Sequence, residues 1–296
     1  MFPVSLTDGF LATNDLQLHY RHWVPSTTKS NAHPILLLHG LASSSYIWNL
    51  VAPRLAEQGH EVVALDQRGH GESSKPQQGY DFASIVADDR ALIQELDLRH
   101  PVLVGHSWGA MVALEYAAAS DADVSAVVLV DGALQQFSRR PGWSLEQALL
   151  DLAPPRYAGI SRETFLSFFE KSPLARQWTP ELEASALHIV EQHPDGTVSP
   201  RLAFENHLQI IEAMWHQSTL ELYKNVRCPI KLVIAEREPT DEATRLRAEQ
   251  REIGLEEIRA IQPQISIVHM PDTIHDVPLQ RPAELAHEIL ALASEV

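Results

Sequence analysis

Apolar and polar residues alternate through Leu16, Gln17, Leu18, His19, Tyr20 and Arg21, the period of a half-buried antiparallel strand. Ile35-Leu36-Leu37-Leu38 is instead continuously apolar, as a strand covered on both faces by helices requires, and residues 61–65, apolar from Val62 onward, 102–104 and 126–130 repeat that pattern. Between them Phe82, Ile85, Leu92 and Leu96 fall on one helical stripe, with Asp88, Asp89, Arg90 and Glu95 predicted on the wet face. Apolar strands separated by helical patterns predict βαβ crossovers and a mostly parallel, doubly wound α/β sheet.

The rhythm changes after Gly132. No comparable apolar strand occurs over residues 133–226. Helical patterns are predicted instead over 143–152, 162–169, 180–191 and 201–215, broken by Pro154-Pro155, Pro173 and Pro194-Asp195-Gly196. Sheet rhythm resumes at 230–234, passes through a charged helix over 241–260, returns at 265–269 and closes on an amphipathic helix over 282–293. The expected organisation is a core of residues 1–132 and 227–296 carrying a helical cap of residues 133–226.

Composition narrows the partners. At 296 residues and 45% hydrophobic, the chain is expected to be a soluble globular protein with a large core. A formal charge of -16 disfavours nucleic acid and anionic lipid, both of which demand Lys and Arg, and makes neutral or cationic small molecules the more compatible partners, a largely neutral one being the expected substrate. Cys228 is the single cysteine, so an internal disulfide or a cysteine metal cluster is excluded. Residues 1–18 include Asp8 and Asp15, with no basic leader and no continuous apolar run. Neither a signal peptide nor a membrane span is expected there, and cytoplasmic residence is the default.

The chemistry concentrates at Gly105-His106-Ser107-Trp108-Gly109, which follows an apolar strand and precedes small, helix-forming residues. Strand, sharp turn and helix around Gly-x-Ser-x-Gly describe a nucleophile elbow, and Ser107 is the candidate nucleophile. A serine hydroxyl needs an adjacent base. The chain has 15 histidines, so position must choose among them. His275 lies in the loop between the last strand and the last helix, where strand-end loops reach the elbow.

Four landmarks, His39-Gly40, Asp66-x-Arg68-Gly69-His70-Gly71-x-Ser73, the elbow and Asp272-Thr273-Ile274-His275, make the chain resemble the α/β-hydrolase superfamily, in particular its cap-bearing serine hydrolases. That resemblance implies His275 as the base. It also implies an acid after the penultimate strand, where Glu238 stands, or in some members after the preceding strand, where Asp131 precedes Gly132. The same resemblance puts the backbone N–H groups of Leu41 and Trp108 in an oxyanion hole, and assigns His39, Arg68, His70 and Ser73 to loop architecture.

The activity implied is cofactor-free and metal-free cleavage of a carboxylic ester through an acyl-enzyme. Hydrolysis of a carbon–carbon bond in a vinylogous diketone and iminopeptidase-like amide cleavage are the enzymatic alternatives, although Leu41-Ala42-Ser43 departs from the glycine- and proline-rich segment of iminopeptidases. A ligand receptor on the same fold is the non-enzymatic one. Relatives that open epoxides or remove halides use aspartate as nucleophile, where this chain has Ser107.

Overall fold

The computed structural model describes residues 2–13, 15–27, 32–155 and 157–296. Strands β1 (Val4–Thr13) and β2 (Leu16–Pro25) pair antiparallel along their whole length, and β2 continues antiparallel onto the main sheet. The chain then runs through β3 (Ile35–Leu38), α1 (Ala52–Ala56), β4 (Val62–Leu65), α2 (Phe82–Glu95), β5 (Val102–His106), α3 (Trp108–Ala118) and β6 (Ala126–Val130).

The next segment holds α4 (Leu145–Asp151), β7 (Ile160–Ser161), α5 (Arg162–Glu170), α6 (Pro180–Leu187), β8 (Val190–Gln192), β9 (Thr197–Pro200), α7 (Phe204–His216) and α8 (Thr219–Asn225). Then β10 (Ile230–Ala235), α9 (Glu242–Ile261), β11 (Ser266–Met270), α10 (Val277–Gln280) and α11 (Pro282–Ala293) complete the fold. The main sheet has the order β1-β2-β4-β3-β5-β6-β10-β11, and every pair from β4 to β11 is parallel.

Alternation within the short apolar strands builds two cores. Leu36, Leu38, Val63, Leu65 and Leu103 point to the face covered by α2, α3, α8 and α9, while Ile35, Leu37, Val62, Ala64 and Val104 point to α1 and α11. Such strands have no polar face to show because both faces are covered.

Three features depart from the sequence pattern. The polar side of β2 is wet only at its start, at Gln17: His19 and Arg21 are buried, His19 against Asp66 at 2.8 Å and Arg21 against Asp8 at 3.1 Å. Asp88 and Asp89 of α2 are likewise buried: Arg68 grips both Asp88 oxygens at 2.5 and 2.6 Å, while the Asp89 carboxylate has no hydrogen-bond partner among the described residues. Finally, the segment between β6 and β10 is not wholly helical.

In that segment a small antiparallel sheet, β7-β9-β8, lies against α5 and α6 around Phe165, Ala186, Val190 and Val198. The third predicted helix therefore ends at Leu187, and Val190 belongs to a strand. These strands are two to four residues long, too short to register a period. A fifth helix, α8, joins the core layer: Leu220 and Tyr223 are buried in the main cluster, and the Tyr223 hydroxyl donates to the Ala133 carbonyl at 3.0 Å.

Candidate active site

Ser107 occupies the turn between β5 and α3 with φ 55° and ψ -117°, a left-handed conformation that costs a non-glycine residue energy and lifts its side chain clear of the sheet. The turn can be this tight only with glycine at its feet. A Cβ on Gly105 would strike the Gly109 carbonyl, and a Cβ on Gly132 would strike the Ser107 carbonyl from the neighbouring strand end. The Ser107 N–H donates to the Val130 carbonyl at 2.8 Å, which ties the elbow to β6.

The residue after β6 is Asp131, at φ 45°. Its Oδ2 accepts a hydrogen bond from His275 Nδ1 at 2.6 Å, while Oδ1 accepts from the Ala235 N–H at 3.1 Å. On the far side of the ring, the Ser107 hydroxyl donates to His275 Nε2 at 2.8 Å. Three side chains from three strand-end loops thus form one continuous hydrogen-bond chain. Glu238, the sequence expectation for the third member, stands exposed in the loop after β10 and makes no hydrogen bond to His275 among the described residues. Its neighbour Glu236 is occupied by His269 at 2.7 Å. Asp131, the alternative acid, takes the place beside His275.

His275 is held from behind. The His106 ring Nε2 donates to the His275 carbonyl at 2.8 Å, the Ile274 N–H donates to the Gln280 side chain at 2.6 Å, and the Thr273 N–H donates to the Glu236 carbonyl at 2.9 Å. Burial, with the nearby His275 charge, holds the His106 pKa down to about 4, so this ring is neutral near pH 7. Burial acts on His275 in the same direction, but the hydrogen bond and charge of Asp131 outweigh it and its pKa stands above the ordinary 6.5.

The loop after β3 is equally constrained. His70 Nδ1 donates to the Arg68 carbonyl at 3.0 Å, leaving Nε2 to accept from the Ala42 N–H at 3.2 Å. His39 Nδ1 donates to the Gly40 carbonyl at 2.8 Å and Nε2 accepts from the Gln67 N–H at 3.1 Å. Burial lowers the pKa of both rings, the neutral state these bonds need. Leu41 is carried on this loop, and Trp108 is the first residue of α3, where a backbone N–H has no partner within the helix. Leu41, Ser107, Trp108 and His275 line one cavity of about 380 Å³, closed by apolar Met111, Leu134, Phe137, Leu152 and Met214.

A profile of the alpha/beta hydrolase family matches residues 35–288, which span the strands and loops just described. The chain belongs to the alpha/beta hydrolase family. It is 30% identical over 189 residues to the AB hydrolase superfamily protein YisY of Bacillus subtilis (strain 168), covering 60% of this chain and 67% of that protein. A second relative, the soluble epoxide hydrolase of Corynebacterium sp. (strain C12), is 38% identical over 104 residues, 35% of this chain and 34% of that one. Among solved structures, that of E-2-(acetamidomethylene)succinate hydrolase superposes with a TM-score of 0.76 over 98% of this chain and 100% of that one, at 22% identity. That likeness is one of fold.

Of the insertion's aromatic and sulfur side chains, this hydrolase brings Met214 to the inner cavity and Trp143 to an adjoining one. Phe165, Phe169 and Trp178 pack among themselves in the insertion, and Phe168 is exposed. His70 stands in the loop motif that the sequence assigns to architecture, whereas His106, which fixes the His275 loop from behind, is not marked as an anchor by its spacing. Its signal is burial, which a histidine in a motif does not reveal.

Proposed function

We propose that this hydrolase cleaves a carboxylic ester through a covalent acyl-enzyme on Ser107. The observation that carries the reading is the unbroken hydrogen-bond chain from Ser107 through His275 to Asp131 at the wall of the cavity. His275 takes the Ser107 proton on Nε2 as Oγ attacks the ester carbonyl, and Asp131 holds the ring with Nδ1 protonated and stabilises the imidazolium. The N–H groups of Leu41 and Trp108 receive the oxyanion. His275 returns the proton to the leaving oxygen, then takes one from the water that attacks the acyl-enzyme and hands it to Ser107 Oγ as the acid leaves. The apolar inner wall suits a small or medium acyl group.

Similarity to an epoxide hydrolase raises a different bond, but serine at the elbow argues against it. Attack of Ser107 on an epoxide would leave an ether, which water does not hydrolyse near neutral pH. Attack on an ester leaves an ester, which the same His275 can resolve.

The test is intact-mass labelling with a fluorophosphonate beside hydrolysis of p-nitrophenyl esters by wild type, Ser107→Ala and His275→Ala. One label per wild-type chain is expected, with none on Ser107→Ala and kcat lowered by about 10⁶ in that variant, the scale of losing a triad nucleophile. Folded wild type that takes no label, or a Ser107→Ala chain that still turns over, would overturn the proposal.

A further inference from the structure

A second cavity of about 540 Å³ adjoins the inner one, and the two share Asp131, Leu134, Gln135, Phe137, Leu152 and His275 as walls. The outer cavity is lined by four guanidiniums, those of Arg140, Arg237, Arg247 and Arg251, against two carboxylates, those of Asp131 and Asp151. Asp131 is already committed to His275.

Three independent segments supply the arginines: the insertion, the loop after β10 and α9. Arg247 and Arg251, four residues apart, share one face of α9. Arg251 is fixed by donating to the Ala235 carbonyl at 2.9 Å and lies 3.4 Å from Glu252. Arg140 lies flat over the Trp143 ring, 3.7 Å from its centroid. The guanidinium pKa of Arg140 is depressed by burial and by the charge of Arg247, against the pull of Asp151, and both arginines line the outer cavity. Among the described residues, Arg140, Arg237 and Arg247 form no ion pair. On a chain of charge -16, unpaired arginines converging on one hollow are not an average surface.

We infer that the arginine-lined outer cavity binds a carboxylate or phosphate carried by the leaving group of the substrate. This rests on the ester-hydrolase reading for the identity of the leaving group. Ser107, Leu41 and Trp108 line only the inner cavity, so the carbonyl and its acyl chain belong there, whereas His275, which must hand a proton to the leaving oxygen, lines both. The leaving group therefore exits past His275 toward the arginines. Guanidinium forks match the oxygens of carboxylate and phosphate. The neutral substrate expected from total charge is replaced by one that is apolar at its acyl end and anionic at the other.

The experiment compares 4-carboxyphenyl butanoate with its neutral counterpart, 4-(methoxycarbonyl)phenyl butanoate. Wild type should favour the carboxylate in kcat/KM by about tenfold, the effect of one charge-assisted hydrogen bond, mainly through KM. The preference should shrink in roughly 0.5 M salt, where charges are screened within a few ångströms. Arg247 is exposed, so Arg247→Glu and Arg247→Gln should both fold, and the first should invert the preference. A structural role for Arg247 would lower both rates without inverting their ratio.

In parallel, calorimetry on Ser107→Ala measures binding of 4-hydroxybenzoate, its methyl ester and phenyl phosphate without turnover. Binding of either anion, lost in the added Arg247→Glu, supports the site even if no ester is cleaved, in which case the hydrolysis reading alone falls. Ester cleavage with no carboxylate preference and no anion binding overturns the site and leaves the serine chemistry standing. A preference for phenyl hydrogen glutarate, charged on the acyl side, over 4-carboxyphenyl butanoate would also overturn it.

Discussion

Asp131 serves the backbone and the imidazole with one carboxylate, accepting from the Ala235 N–H and from His275 Nδ1. Asp131→Asn should therefore lower kcat by about 10³–10⁴ with the fold intact, as loss of a triad acid does, while Glu238→Gln stays within about twofold of wild type; steady-state ester hydrolysis checks both. The pH profile carries the same assignment. Only neutral His275 can take the Ser107 proton, and Asp131 keeps it protonated to higher pH, so kcat/KM should rise with a midpoint above 6.5 that moves down in Asp131→Asn. His106→Ala removes the donor behind the His275 carbonyl and should lower kcat by about tenfold to a hundredfold, with His106→Gln partly restoring it, since small displacements of a catalytic group cost that much. Ser107 and His275 were legible because an elbow and a terminal loop are local signatures. Which acid meets His275 was not, because an Asp before a Gly is also an ordinary turn, and only pairing of β6 with β10 brings Asp131 to the ring.

At the scale of elements, the strands buried on both faces and the long helices could be read from the chain, since a short continuous apolar run suits a doubly covered strand and a long 3.6-period one suits an amphipathic helix. Strand β1 could not: Leu6 and Phe10 are exposed and its order comes from full-length pairing with β2. Helix α2 shows the reverse error. Its charged stripe looks solvated, yet Asp89 is wholly buried and both its carboxylate oxygens lack a partner among the described residues. Burial first, then the charge of Asp88, raises its pKa well above the ordinary 3.8. A raised acid favours the folded state while protonated, so this contribution is full at pH below about 3.8 and is lost as pH climbs through the folded value. Asp89→Asn should flatten that dependence and raise the thermal midpoint near pH 7 more than near pH 4, as calorimetry at the two pH values would record. An unchanged difference between the two pH values would contradict the assignment.

For the whole molecule, the strand-end loops of the core and the segment between β6 and β10 together close the inner cavity, through Leu41, Met111, Phe137, Leu152 and Met214. Its size sets an expected optimum at medium acyl chains, butanoate to hexanoate, with palmitate poorly used, in a p-nitrophenyl ester series. Total charge could be read from composition, but its distribution could not, because Arg140, Arg237 and Arg247 come together only in the folded chain. The position of Asp131 has a consequence for how such an enzyme can be altered. The carboxylate bonded to His275 stands at the end of β6, and residues 237–240 make no hydrogen bond to that ring among the described residues, yet Arg237 among them lines the outer cavity. Under the proposed function, selectivity and reaction chemistry fall on separate segments, and a library or loop graft confined to 237–240 should sample new leaving groups on an unaltered nucleophile.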